Sequence, residues 1–216
     1  MNFLDAWREA EPYTMLGAER GRVLWDKVRE ALLDLSLSGP GERPGPFPGV
    51  AELGVYRGGT ALLLRRAAPH RPLVLFDTFT GHPSGSRAMD VAESQPSGRF
   101  GDGSLVGVAM LLEPTLRYDG AAPITLHVGA FPASLGGAAP PPLVFVHVDC
   151  DLYDSVAAAC RVFWPALEHG GTMLFDDFGF EDCKGARRAV EEFSLADPEL
   201  RKIVLPGTGQ AWVRKP

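Results

Sequence analysis

The sequence predicts a doubly wound α/β fold, built on a mostly parallel, Rossmann-like sheet with helices on both faces. Three observations predict it. Short apolar runs lack the polar alternation of a half-solvated strand, as expected for strands buried on both faces. Helical periodicities fall between those runs, as right-handed crossovers require. The chain has 216 residues, 45% hydrophobic and 22% charged, the size and composition of an ordinary globular domain. One domain spanning 1–216 is therefore expected.

Along the chain, residues 19–37 place Val23, Leu24, Val28, Ala31, Leu32 and Leu35 on one helical stripe. Residues 1–38 are expected to form a helical cap. Its aromatics, Phe3, Trp7, Tyr13 and Trp25, read as exposed, placed to cover a site or meet a second subunit. The stretch 38–49, rich in proline and glycine, is a loop. Strands are predicted at 50–55, 72–77, 124–128, 143–149 and 172–177, with helices at 59–68, 104–112, 153–168 and 184–193. The segment 136–142, GGAAPPP, is a second loop. Residues 202–205 and 210–214 flank PGTG and predict an antiparallel hairpin closing the sheet edge. The polar, glycine-rich segment 81–103 is expected to be a mobile cover over the active site.

Charge and cysteine content narrow the function. Twenty-seven acidic against 21 basic side chains leave a net charge of −6, with no surplus of cations to displace counterions from a nucleic acid. Nucleic acid is not an expected partner. Cys150, Cys160 and Cys183 are odd in number and show no CxxC spacing, which fits neither a disulfide framework nor a zinc knuckle. No apolar run approaches a membrane span, and the first residues carry acids where a secretion signal carries bases. A cytoplasmic address and no membrane partner are expected.

In open α/β sheets the ligand lies beyond the carboxyl ends of the strands, where strand order reverses. The first predicted strand ends in a loop running from Glu52 through Gly54, Tyr56 and Gly58 to Gly59. Its G-x-x-x-G-G spacing is not the dinucleotide fingerprint, because Tyr56 stands where a diphosphate needs glycine. A cofactor without a diphosphate, such as S-adenosylmethionine, remains compatible, with Glu52 facing its cationic portion. The alternative is a turn whose glycines serve only backbone geometry. The second strand ends in Asp77, followed by Thr78 and Phe79. Asp77 is placed either to accept both hydroxyls of a ribose or to open an Asx turn toward Gly81.

The fourth and fifth strands end in Asp149-Cys150-Asp151 and Asp176-Asp177. If these strands pair, their ends lie about 5 Å apart, and four carboxylates share one rim. Such crowding calls for a cation, and oxygen-only ligands select a hard one such as Mg²⁺ over Zn²⁺. The competing role is helix capping, for which Asp151 is well placed ahead of the helix at 153. His127 and His147 fall inside strands and read as core residues. His82 lies in a loop that can face a substrate, and its role stays open. Cys150 reads as a buried thiol rather than a nucleophile, since no base is paired with it. Neither a nucleophile elbow nor a phosphate loop is present.

The chain resembles the macrocin O-methyltransferase family, enzymes that methylate hydroxyls on natural-product sugars. The resemblance rests on Tyr13-Thr-Met15 with Arg20, the Glu52–Gly59 loop and Asp77-Thr-Phe79. It continues through Asp149-Cys-Asp-Leu-Tyr-Asp-Ser155, Gly170-Gly-Thr-Met-Leu-Phe-Asp-Asp177 and the stretch from Cys183 to Phe193. It implies a class I methyltransferase fold, S-adenosylmethionine as donor and Mg²⁺ held by Asp149, Asp176 and Asp177. Asp151 takes the position of the family's general base. Cys150 departs from the glycine usual between those two acids, and the chain is short for the family. A homodimer is expected by likeness.

The expected reaction is direct O-methylation of a small-molecule hydroxyl, with Mg²⁺ gripping two neighbouring oxygens of the acceptor. Asp102 and Ser104 are placed to reach the cofactor, and Gly129 and Phe131 to border its adenine. Two rival readings are a nucleoside-binding module without catalysis and an NAD-dependent oxidoreductase. The first has no reason to gather four carboxylates, and the glycine spacing disfavours the second.

Overall fold

The computed structural model describes residues 1–37, 47–83, 90, 95–196, 200, 202–205 and 207–216. The loop residues 38–46, positions 84–89 and 91–94 of the expected cover, and the side chain of Leu35 lie outside the described residues.

Seven strands form one sheet in the order β3-β2-β1-β4-β5-β7-β6. They are β1 (Gly49–Leu53), β2 (Leu73–Asp77), β3 (Ile124–Val128), β4 (Leu143–Val148), β5 (Leu167–Phe175), β6 (Lys202–Val204) and β7 (Ala211–Arg214). The first five run parallel, and β7 is antiparallel to both β5 and β6. This is the predicted doubly wound sheet with its terminal hairpin. Helices α1 (Phe3–Ala10), α2 (Ala18–Leu37), α3 (Gly59–Ala67) and α4 (Leu105–Leu112) contribute to the core on one face. Helices α5 (Tyr153–Ala166) and α6 (Lys184–Ala196) pack on the other. Val50, Leu73 and Leu75 point to the first core, Ala51, Val74 and Phe76 to the second, which is why these strands show no polar face. Burying side chains of this size contributes about 1.5–3 kcal/mol each.

Local departures from the sequence reading have physical causes. The first strand stops at Leu53 rather than residue 55, because Gly54 turns left-handed at φ +92°. Helix α5 ends at Ala166, one residue after Pro165, and β5 begins at once instead of at 172. The edge strand β3 is only half-buried, so its apolar residues do not mark a fully covered strand. Phe3, Trp7 and Trp25 are buried, which corrects their reading as exposed; of the four aromatics only Tyr13 faces out. Gly21 lets α2 close on α1, since a Cβ there would meet the Trp7 ring at 2.3 Å. The N-terminal helices are thus part of the main core. Among the described residues, no helix is long and apolar enough to cross a membrane.

Candidate active site

From β1 the chain winds outward through β2 and β3, and from β4 outward through β5, so strand order reverses between β1 and β4. A cavity of about 290 Å³ opens beyond the carboxyl ends at that point, where ligand sites of this fold class form. Its walls come from the loop after β1, the ends of β2, β4 and β5, residues 129–131 after β3, and the segment 13–16 with Arg20.

One wall is built of backbone. Gly54 passes so close to β4 that a Cβ would lie 1.7 Å from the Asp149 carbonyl oxygen, and its left-handed φ suits glycine alone. Asp77 ties this loop down. Its Oδ2 accepts from the Val55 and Tyr56 N–H groups at 2.7 and 2.8 Å, and its Oδ1 from Phe79 N–H at 2.7 Å. The last bond is the Asx turn, and Asp77 still lines the cavity. Gly129 donates its N–H to the Asp77 carbonyl at 2.9 Å, and Phe131 packs on Phe76 and Phe163.

The adjoining wall is acidic. Backbone bonds from Asp149 N–H to Leu53 O (2.9 Å) and from Asp176 N–H to Val148 O (3.0 Å) extend the ladders past the strand ends. One ligand oxygen each from Asp149, Asp176 and Asp177 lies within 4.8 Å of the others. Asp176 is wholly buried behind the cavity. Its Oδ2 pairs with Arg20, its Oδ1 accepts from Gln210 Nε2 at 2.7 Å, and His147 Nε2 lies 3.9 Å away. His147 Nδ1 in turn lies 2.9 Å from Glu52 Oε1. Glu52 and His147 are register partners across β1 and β4, so the pair follows from the sheet.

The acids titrate apart. Burial, the Asp176 charge and the nearby Asp151 push Asp149 well above the usual carboxylate range, outweighing His147 and Arg20. Asp177 is raised likewise by burial and by Asp151, Asp149 and Asp176. Burial also acts to raise Asp176, but the contact with His147, the Arg20 charge and the Gln210 bond bring it below its ordinary value. Burial opposes the imidazolium of His147, yet Asp176, Glu52 and Asp149 raise it to about 10. Glu52 is raised, burial outweighing its bond to His147.

Asp151 and His82 meet at the same rim, His82 Nε2 lying 3.1 Å from Asp151 Oδ2. Asp151 does not cap α5: the N-cap is Leu152 without a side-chain bond, and Asp90 Oδ1 accepts from Tyr153 N–H at 3.2 Å. Burial and the neighbouring acids push the Cys150 and Cys183 thiols up, and burial raises Cys160 to about 12. None is a poised nucleophile.

The family model for macrocin O-methyltransferase (TylF) matches residues 6–205. The chain belongs to this family. It is accordingly a class I S-adenosylmethionine-dependent O-methyltransferase acting on a small-molecule acceptor. A curated relative from Streptomyces olivaceus, 8-demethyl-8-(2,3-dimethoxy-α-L-rhamnosyl)-tetracenomycin-C 4'-O-methyltransferase, is 24% identical over 208 residues, 93% of this chain and 75% of the relative. Two solved structures share the fold. The O-methyltransferase NovP superposes with a TM-score of 0.75 at 22% identity, covering 94% of this chain and 82% of NovP. The calicheamicin methyltransferase CalS11 gives 0.66 at 23% identity, covering 88% and 76%.

Within this methyltransferase, Gly54, Tyr56, Asp77, Thr78, Gly129, Phe131, Asp149, Asp151 and Asp177 all line the cavity. Other expected residues do not. Glu52 lies beneath the wall, bonded to His147 rather than turned toward a ligand. Gly58 is the left-handed N-cap of α3, and Phe79 packs against the core. Ser104 caps α4, accepting from Gly107 N–H at 3.2 Å. Asp102 is exposed and pairs with Arg57 and the Tyr56 hydroxyl, so it steadies Tyr56 from outside. Arg20 was visible in the N-terminal motif, but nothing in its spacing gives the contact with Asp176. Gln210 left no sequence signal.

Proposed function

We propose that this enzyme methylates a hydroxyl of a sugar or sugar-bearing natural product, assisted by Mg²⁺ held by Asp149, Asp176 and Asp177. The observation that carries this reading is the convergence of the carboxylate trio Asp149, Asp176 and Asp177 and a glycine-turned backbone wall at one cavity. Three oxygens fit a hard cation. Burial first, and the neighbouring acids after it, raise Asp149 and Asp177, a cost that a bound cation would relieve. A sugar acceptor is supported by the names of two relatives, the rhamnosyl-tetracenomycin methyltransferase and CalS11, described as a TDP-rhamnose 3'-O-methyltransferase.

In this reading the loop at Gly54 and Tyr56, the Asp77 carboxylate and the Gly129–Phe131 corner hold S-adenosylmethionine, whose sulfonium supplies the methyl. Bound Mg²⁺ supplies acidity to the acceptor hydroxyl. Asp151, in the cavity wall beside the trio, would take the proton that the acceptor hydroxyl gives up on receiving the methyl. Residues 13–16 and Arg20 cover the N-terminal side of the cavity and restrict water.

The test is to incubate the enzyme with S-adenosylmethionine and TDP-rhamnose, rhamnose, a catechol or a hydroxy acid, with Mg²⁺ or a chelator. Mass spectrometry reads the gain of a methyl group. A sugar product that requires Mg²⁺ is expected, and Asp151→Asn should slow it by about 100- to 10,000-fold. Metal-independent transfer, or a catechol product alone, contradicts the reading.

A further inference from the structure

His82 entered the sequence reading without a role, and the reaction above uses it nowhere. Its side chain is only 9% exposed, yet it reaches the cavity, with Nε2 3.1 Å from Asp151 Oδ2. The ring is held in place. Its backbone N–H donates to Arg99 O at 2.9 Å, its carbonyl accepts from Gly98 N–H at 2.9 Å, and Phe100 packs edge-on at 5.4 Å. Among the described residues, Nδ1 is buried without a hydrogen-bond partner. A proton there would leave that N–H unsatisfied and turn a lone pair toward the carboxylate, so the Nε2–H tautomer suits the site.

Asp151 needs such a partner. It sits at φ +59°, with its own N–H donated to Asp177 Oδ2 at 3.0 Å. A rotation about one side-chain bond would take its carboxylate out of the cavity. The His82 bond opposes that rotation through Oδ2. Oδ1 faces only a weak donor at this contact, the Cys183 thiol at 3.5 Å.

We propose that His82 is a positioning residue: its Nε2–H holds the Asp151 carboxylate in the cavity and leaves Oδ1 to take the acceptor's proton. The proposal rests on the reading of Asp151 as base. It also ties the two halves of the site together, because His82 stands on the loop that leaves the Asp77 end of β2.

Two arms test it on the full chain. Imidazole ¹⁵N NMR needs no acceptor; it should show His82 as the Nε2–H tautomer, with its signals displaced in Asp151→Ala. An Nδ1–H tautomer, or signals indifferent to Asp151→Ala, overturns the proposal. Kinetics with TDP-rhamnose compare His82→Phe, which keeps a ring but no donor, with His82→Gln, which keeps an N–H. His82→Phe should lower kcat by about 10- to 100-fold, the loss of one bond to a charged group. Both KM values and the Mg²⁺ Kd should stay within about twofold, and His82→Gln should recover to within about fivefold of wild type. A His82→Phe kcat near wild type, or a His82→Gln as slow as His82→Phe, sinks the proposal. If the melting curve shows that His82→Phe has lost its fold, His82→Leu is read the same way. Wild-type turnover by Asp151→Asn would instead remove Asp151 as base, which separates the two failures.

Discussion

Three side chains from distant parts of the chain converge on Asp176. Arg20 from α2, Gln210 from the residue before β7 and His147 from β4 all act on one buried carboxylate. Groups that orient a metal ligand from behind are commonly worth about 10- to 100-fold in metal affinity. Gln210→Leu should therefore weaken Mg²⁺ binding by about that factor while leaving S-adenosylhomocysteine binding unchanged; calorimetry with each ligand checks it. Equal losses for both ligands would point to general damage. The acids themselves were legible, since the apolar runs of β2, β4 and β5 each end in one. Their partners were not, because Arg20 and Asp176 stand 156 positions apart and Gln210 another 34 beyond. Glu52 shows what position along a strand leaves out: it is buried and meets His147, its register partner on β4.

At the scale of elements, the site depends on β1 and β4 running together until one chain turns aside. Gly54 makes that turn against the Asp149 carbonyl. Gly54→Ala adds a left-handed alanine, worth about 1–2 kcal/mol, to a clash that only separating the strands relieves. A fall in the melting midpoint of at least about 4 °C is expected, with loss of S-adenosylhomocysteine binding. An alanine variant that melts and binds as wild type would show that the strands have room to part. The inner strands were readable because burial on both faces leaves an apolar run with nothing to alternate. The bounds of the edge strand β3 were read from the sequence, but the extra length of β5 was not, since its first residues pair with β4 through an irregular register that composition does not mark. The N-terminal aromatics misled for a related reason: polar residues beside Phe3, Trp7 and Trp25 mask which face of the helix packs.

Across the whole molecule, the buried charges set how stability follows pH. Asp149 and Asp177 are raised, so above the ordinary carboxylate range the unfolded chain gives up protons that the native state keeps, and stability falls as pH rises. His147 acts in the same direction. Its contribution is full below the imidazole's ordinary value and is lost as pH climbs through about 10. Asp176 is lowered, and its contribution is lost instead as pH falls through its native value. A cation on the trio needs ionised carboxylates, so Mg²⁺ should raise the melting midpoint more at about pH 8.5 than at about pH 6. Differential scanning calorimetry checks this. At roughly 100 times its Kd the ion should add about 2.7 kcal/mol, and a gain that shrinks with rising pH would contradict the charge arrangement. The most direct test of the central claim is calorimetric titration of Mg²⁺ into the S-adenosylhomocysteine-bound chain, wild type beside Asp177→Asn. Saturable binding by the wild type that the variant loses is the predicted result; no binding, or equal binding by both, would contradict it.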